Sequence, residues 1–436
     1  MYLLFIVTSI ILMTLSIKVF KKKINPCTVY CLIWFIALSL HDSGLIYFEK
    51  LSIKAYVIII LFELILCSGI MIGRCFKFVI GRKQFKTVFT DIDGVDFSLL
   101  DKLIAITTII SAFAIVPNIL LVISKYGISG IVANMAEIYQ ERESGELSYV
   151  NYFSPMIYIA LMMMSVRIKK VGVKPFFIVP IILAILNALS FGGRNNIIYT
   201  ILMIIIPLVV NDKSSKDKEV SDIHVSHKRR YIFVALLIIA CVIVFSQINT
   251  MRSLATVIPH YISPVMQRLV SKNYSFYRTI LYISEPIAYF NKYLENQYFS
   301  FGANTFYFWY KQLNKVGFDL NIMATLPTYN IPMQCNVGTY ITELLIDFDF
   351  ESFFIVFIFG VLFGVAYRRY SENNLEFGST FLMTVFYIVI ILSFFMWYLR
   401  STTIWLILLY GWGISFIWKR LTIRERKLVR SGAVIE

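Results

Sequence analysis

Residues 352–367 read SFFIVFIFGVLFGVAY, sixteen positions without a charge, closed by Arg368 and Arg369. A helix needs about twenty mainly apolar residues to cross the hydrocarbon of a bilayer, so this stretch reads as a membrane span. Similar runs lie at 1–20, 27–47, 53–73, 103–124, 152–166, 175–191, 197–210, 231–248, 379–398 and 402–418. The chain is therefore expected to be an all-α integral membrane protein with about eleven transmembrane helices. Composition agrees: of 436 residues, 58% are hydrophobic and 15% charged, against about a quarter charged in an ordinary soluble domain. Met1–Phe20 lacks a basic leader and a small-residue cleavage site, so it reads as a retained helix.

The net charge of +15 would suggest nucleic acid for a soluble protein, but in a membrane protein the placement of Lys and Arg first sets orientation. If the N-terminus lies outside, the inner segments are Lys18–Lys23, Arg74–Lys102, Arg167–Lys174, Lys213–Arg230, Arg368–Arg369 and Lys419–Arg430. They hold 28 of the 41 basic residues. This bias obeys the positive-inside rule and places the C-terminus in the cytoplasm. Three parts follow: eight spans over 1–248, a large extracytoplasmic loop over 249–351, and three spans with a basic tail over 352–436. A connection as long as 249–351 usually carries function. It holds eleven of the 27 Tyr, together with Trp309, and is expected to pack on the membrane surface as short helices. The six Cys include no CxxC pair and form no cluster with His, so neither a disulfide framework nor a zinc site is indicated.

Four groups of residues invite chemistry. Phe191-Gly192-Gly193-Arg194 is a tight outer turn ahead of a helix start, where free backbone N–H groups and Arg194 suit an anion at headgroup depth. Snorkelling of Arg194 to ordinary lipid phosphates explains it equally well. Arg252, Arg268, Lys272 and Arg278 place cations on the basic-poor side, and arginine forks match phosphate oxygens. His260 in the loop and His41 beside Asp42 are the two outer histidines, able in principle to accept a proton from a hydroxyl. Asn336-Val337-Gly338-Thr339-Tyr340 leads into Glu343 and Asp347, two carboxylates four apart on one helix face. They suit sugar hydroxyls, general-base work, or simple pairing with arginines. Glu63, in the middle of the third span, is expected to be protonated and hydrogen-bonded.

Many spans with a large late loop, the Phe-Gly-Gly-Arg turn and the run Asn336–Tyr340 into Leu345-Ile346-Asp347-Phe348-Asp349-Phe350 resemble the Wzy-type oligosaccharide repeat-unit polymerases of bacteria. The likeness extends through Gly360, Gly364 and Arg368-Arg369, with Asp349 standing where the family usually has Gly after Asp-Phe. The resemblance implies an integral-membrane glycosyltransferase of C-type architecture in the bacterial cytoplasmic membrane, active in O-antigen, capsule or related polysaccharide biosynthesis. It implies polyprenyl-diphosphate-linked oligosaccharides as donor and acceptor, and a chain-length regulator and a flippase as partners. No nucleic acid and no cofactor is called for. On that reading Arg194, Arg252, Arg268 and Arg278 hold the donor diphosphate without a metal, and His260, Glu343 and Asp347 are the catalytic candidates. Tyr277 and Tyr340 offer rings to the apolar faces of sugars.

Two alternatives compete. A flippase for the same lipid-linked substrate should carry charge along a central cavity and have short outer connections, whereas only Glu63 lies at depth here. A membrane O-acyltransferase should have an intramembrane His, and none of the four His lies mid-span.

Overall fold

The structure is a computed structural model that describes residues 1–75, 97–144, 146–147, 152–210, 260–272, 274–323, 325–372 and 377–430. In chain order its helices are α1 (Tyr2–Phe20), α2 (Pro26–Asp42), α3 (Ile53–Cys75), α4 (Phe97–Ala133), α5 (Met135–Ser144), α6 (Met156–Lys170), α7 (Ile178–Phe191) and α8 (Arg194–Val209). They continue as α9 (Pro264–Lys272), α10 (Tyr274–Tyr293), α11 (Tyr307–Lys315), α12 (Tyr340–Phe348), α13 (Ser352–Glu372), α14 (Phe377–Ile391) and α15 (Thr402–Arg430). A two-residue hairpin, β1 (Tyr329–Asn330) with β2 (Gln334–Cys335), precedes α12.

This is a helical membrane protein. Among the described residues five helical stretches are long and apolar enough to cross a bilayer: Tyr2–Phe20, Ile53–Cys75, Phe97–Ile131, Tyr340–Ser371 and Thr402–Leu421. Pro26–Asp42, Pro175–Phe191, Asn195–Val209 and Phe377–Ile391 are shorter apolar helices. The expected span at 231–248 lies outside the described residues, so the count of eleven remains an expectation. Of the two boundaries that matter for the site, one agrees with expectation and one differs. The span expected from 352 is α13, which begins at Ser352; the shorter α12 stands before it as a separate helix capped by Thr339, whose hydroxyl accepts from Thr342 N while Thr342 Oγ1 accepts from Thr339 N. The stretch expected to run to 398 ends at Ile391, because beyond it the backbone is used elsewhere: Ser393 O accepts from Tyr340 N and Trp397 N donates to Glu343.

The chain forms two compact units. The first comprises Met1–Arg82, Ala255–Glu372 and Val385–Trp405. Its centre is the crossing of α3 and α13. Gly69 and Gly73 on one helix meet Gly360 and Gly364 on the other, so that two Gly-xxx-Gly faces bring the backbones into contact. A Cβ at Gly69 would stand 2.6 Å from Phe357 O, and one at Gly360 would stand 2.7 Å from Leu66 O. At Gly73 and Gly364 it would overlap the carbonyls of Val361 and Ile70 still more deeply. In lipid, where helix burial brings no hydrophobic gain, such close packing of small residues is a main source of association. Nearby, Asn25 and Thr28 form a capping box at the start of α2, with Pro26 as its first residue. Buried Glu63 on α3 accepts a hydrogen bond of 2.8 Å from Ser9 Oγ on α1.

The second unit comprises Lys83–Leu254, Asn373–Thr384 and Leu406–Glu436. Here α4, kinked where Gly127 takes a φ of 69°, packs with α6 and α7. Buried Arg142 on α5 donates to the carbonyls of Ser190, Leu147 and Asn118, and its guanidinium lies 5.7 Å above the Phe191 ring. Lys125 pairs with Glu141 and holds that carboxyl below its ordinary range.

Candidate functional site

The richest concentration of chemistry in the first unit is where residues 41–48 meet residues 260–278. Tyr47 N donates to Tyr261 O at 2.8 Å and Ser263 N to Leu45 O at 3.0 Å, so that Ile46 and Ile262 pair as an antiparallel bridge. Under this bridge lies a small apolar core of Ile46, Ile262, Met266, Val270, Tyr277, Ile280 and Leu281. The core decides which way α9 faces. Met266 and Val270, four apart, turn inward, and Arg268 and Lys272, also four apart, are left exposed. Among the described residues no carboxylate pairs with either cation.

Aromatic rings line the same place. Tyr277 OH donates to Tyr261 OH at 3.1 Å, Tyr274 and Tyr277 meet edge to face at 5.6 Å, and exposed His260 meets Tyr261 at 5.5 Å. Burial pushes the Tyr277 phenol well above its ordinary value, so it stays a neutral donor. Arg278, one residue on, is half-buried and close enough for its charge to act on that phenol. At the end of α2, His41 Nδ1 stands 2.8 Å from Asp42 Oδ1, Tyr56 donates to the other Asp42 oxygen, and the imidazole stacks on Phe48 at 5.0 Å. His41 Nε2 is buried without a hydrogen-bond partner. Residues 41–48 and 260–278, joined by the Ile46–Ile262 bridge and its core, thus carry two imidazoles, tyrosines and three cations.

The carboxylates sit elsewhere in the same unit and are already engaged. Glu343, 1% exposed, accepts from Arg400 Nη1 at 2.9 Å and from Trp397 N at 3.0 Å. Arg400, 8% exposed, also donates to Met323 O at 2.9 Å and faces the Tyr307 ring at 5.9 Å. Tyr340, at the head of α12, is buried; its hydroxyl is 2.7 Å from that of Tyr30, and Trp34, Phe62 and Trp397 surround its ring. It belongs to the core and offers no open ring face. Asp347 accepts from Ser300 Oγ, Asn304 N, Asn304 Nδ2 and Thr305 N, which saturates it.

Of the expected site residues, His260, Arg268 and Arg278 fall on one stretch beside the half-buried Tyr261 and Tyr274, whereas Tyr277, 1% exposed, is part of the apolar core and offers a sugar no open ring face. Arg194 is the first residue of α8 in the second unit, after Gly192 with a φ of 60° and with no side chain capping the helix. The Arg194 side chain and the whole of Arg252 lie outside the described residues. Two engaged arginines went unnoticed in the sequence. Arg400 could have been found by the argument used for Arg194, a lone cation in a short connection on the basic-poor side. Arg142 was masked by the acidic stretch around it. Among the described residues no group of three or more His, Cys, Asp or Glu side chains is arranged to hold a metal ion. Compared with known proteins, the chain matches no family model, no curated protein and no solved structure.

Proposed function

We propose that the chain polymerises polyprenyl-diphosphate-linked oligosaccharide repeat units at the outer face of a bacterial cytoplasmic membrane. The observation that carries this reading is that one short stretch, His260 to Arg278, holds the exposed Arg268 and Lys272 cations, half-buried Arg278, exposed His260 and the half-buried rings of Tyr261 and Tyr274. Diphosphate and sugar are the two halves of such a substrate. Arginine serves the first through paired N–H donors, and tyrosine serves the second through an apolar ring with a polar tip.

In the reaction the bond between the donor's anomeric carbon and its diphosphate oxygen breaks, and an acceptor hydroxyl oxygen bonds to that carbon. The hydroxyl proton passes to a base, and the lipid diphosphate departs with the bonding electrons. Arg268 and Arg278 offset the charge that develops on the leaving oxygen. Saturated Asp347 and the Arg400-paired Glu343 are poorly placed to take a proton, which favours His260 in that role. Glu343 then holds Arg400 and the 397–400 turn in place. The conformation at Asp349 also supports the resemblance: its φ is 44°, a left-handed value, at the position where the polymerases carry glycine.

The test is the glycan profile of cells whose only copy is an Arg268→Ala, Arg278→Ala double variant. Long chains should disappear while single repeats still reach the surface. A normal chain-length distribution, with the variant present at ordinary levels, refutes the reading. A His260→Gln variant that polymerises fully would remove His260 as the base while leaving the diphosphate site standing.

A further inference from the structure

A second surface in the first unit is built with more care than an ordinary loop. In the turn over residues 299–306, Phe301 is 85% exposed and Phe299 is half exposed, and beyond α12 Phe350 is 74% exposed. Phe301 takes a φ of 50° and Gly302 one of 84°. Buried Asp347 fixes this shape through its four hydrogen bonds to Ser300, Asn304 and Thr305, and Ser300 N donates to Ile346 O at 2.9 Å. A left-handed conformation at a bulky residue persists only where its surroundings enforce it. The fold thus uses a buried carboxylate to turn apolar rings outward, the reverse of what a water-facing loop requires.

What covers these rings follows from α13. Counting in fours from Phe350, the residues Phe354, Ile358 and Leu362 are all exposed, one apolar stripe along a helix that is long and apolar enough to cross the bilayer. Phe350 is the upper end of that stripe, and the 299–306 turn is tied to α12 three to four residues before it. Asp349 and Glu351 flank Phe350 and set its level at the headgroup boundary, since carboxylates do not enter hydrocarbon unpaired.

We propose that Phe299, Phe301 and Phe350 form a membrane-dipping wedge whose partner is the hydrocarbon of the bilayer, with Asp347 as its positioning residue. The wedge continues the lipid-facing stripe of α13 onto the segment between α10 and α12. It fixes that segment at a constant depth, whatever reaction the chain performs.

The test replaces Phe301, Phe350 or Phe354 in the full chain by the photo-reactive analogue benzoylphenylalanine. Each variant is reconstituted into phosphatidylcholine vesicles and irradiated, and phospholipid adducts are read by mass spectrometry. Positions 301 and 350 should yield adducts within about twofold of position 354. Adding Asp347→Asn should lower the yield at 301 by about fivefold or more and leave that at 354 unchanged. Adducts at 354 with none at 301 and 350 would overturn the proposal. So would an absence of adducts at all three, which removes the lipid face it continues. An unchanged yield at 301 in the Asp347→Asn chain would strip Asp347 of its role.

Discussion

The crossing of α3 and α13 and the join of α12 to residues 300–305 and 397–400 lie in the same unit and are built from opposite materials. At the crossing, side chains are removed: four glycines let two backbones touch. At the join, polar groups are buried and hydrogen-bonded: Glu343 with Arg400 and Trp397, Asp347 with Ser300, Asn304 and Thr305. The difference follows from what each must hold. Two regular helices keep their backbone hydrogen bonds to themselves, so only shape is left to match. A turn and a broken helix have backbone donors to satisfy, and buried carboxylates supply the acceptors.

The crossing should break hardest. At Gly73 or Gly364 a Leu side chain meets backbone, which cannot swing aside as a side chain can, so the helices must separate. Loss of about 5 kcal/mol or more, read as failure to recover folded protein in mild detergent, is expected for Gly364→Leu. A well-folded Gly364→Leu chain would show that the seam is looser than its backbone contacts imply.

The join should break next, and differently. Arg400→Ala leaves Glu343 buried without its cation, at a cost of about 3–5 kcal/mol. Because the damage is an uncompensated charge, Glu343→Gln in the same chain should restore much of the loss in a denaturation series. Damage that the second change does not relieve would mean that Arg400 acts through Met323 and Tyr307 instead.

The packing of the hairpin beside the join can be read from Cys335, whose thiol is buried, donates toward Val337 O and is pushed well above its ordinary value by burial. A raised thiol pKa means less thiolate at any given pH, and thiolate is the reactive form. Maleimide at about pH 8 should therefore label folded Cys335 at least about tenfold more slowly than exposed Cys75, with the difference vanishing in denaturant. Equal rates in the folded protein would mean an open hairpin. The smallest effect is expected at Asp349. Glycine accepts its left-handed backbone without the penalty of a side chain, so Asp349→Gly should stabilise the protein by about 1 kcal/mol in thermal melts.

Much of this architecture is legible in the chain. Apolar runs announce the helices because length and hydropathy are local properties, and ten of the eleven expected runs coincide with helices of the structure. The crossing was half legible: Gly69-xxx-Gly73 and Gly360-xxx-Gly364 can each be read, but nothing local says that they meet. At the candidate site, Arg268, Tyr277 and Arg278 share one short stretch, and the period of α9 places its cations outside. Arg400 and Trp397 could not be assigned to Glu343, because the contact joins residues more than fifty positions apart through an early helix end. The engagement of Asp347 was hidden for the same reason, since Ser300 and Asn304 carry no pattern that points to it.

The function is tested most directly by the glycans of cells from which the chain has been deleted. Loss of the long-chain ladder with the single-repeat band retained is the result expected of a repeat-unit polymerase. An unchanged ladder, or loss of the ladder and the single-repeat band together as a missing flippase would produce, contradicts it.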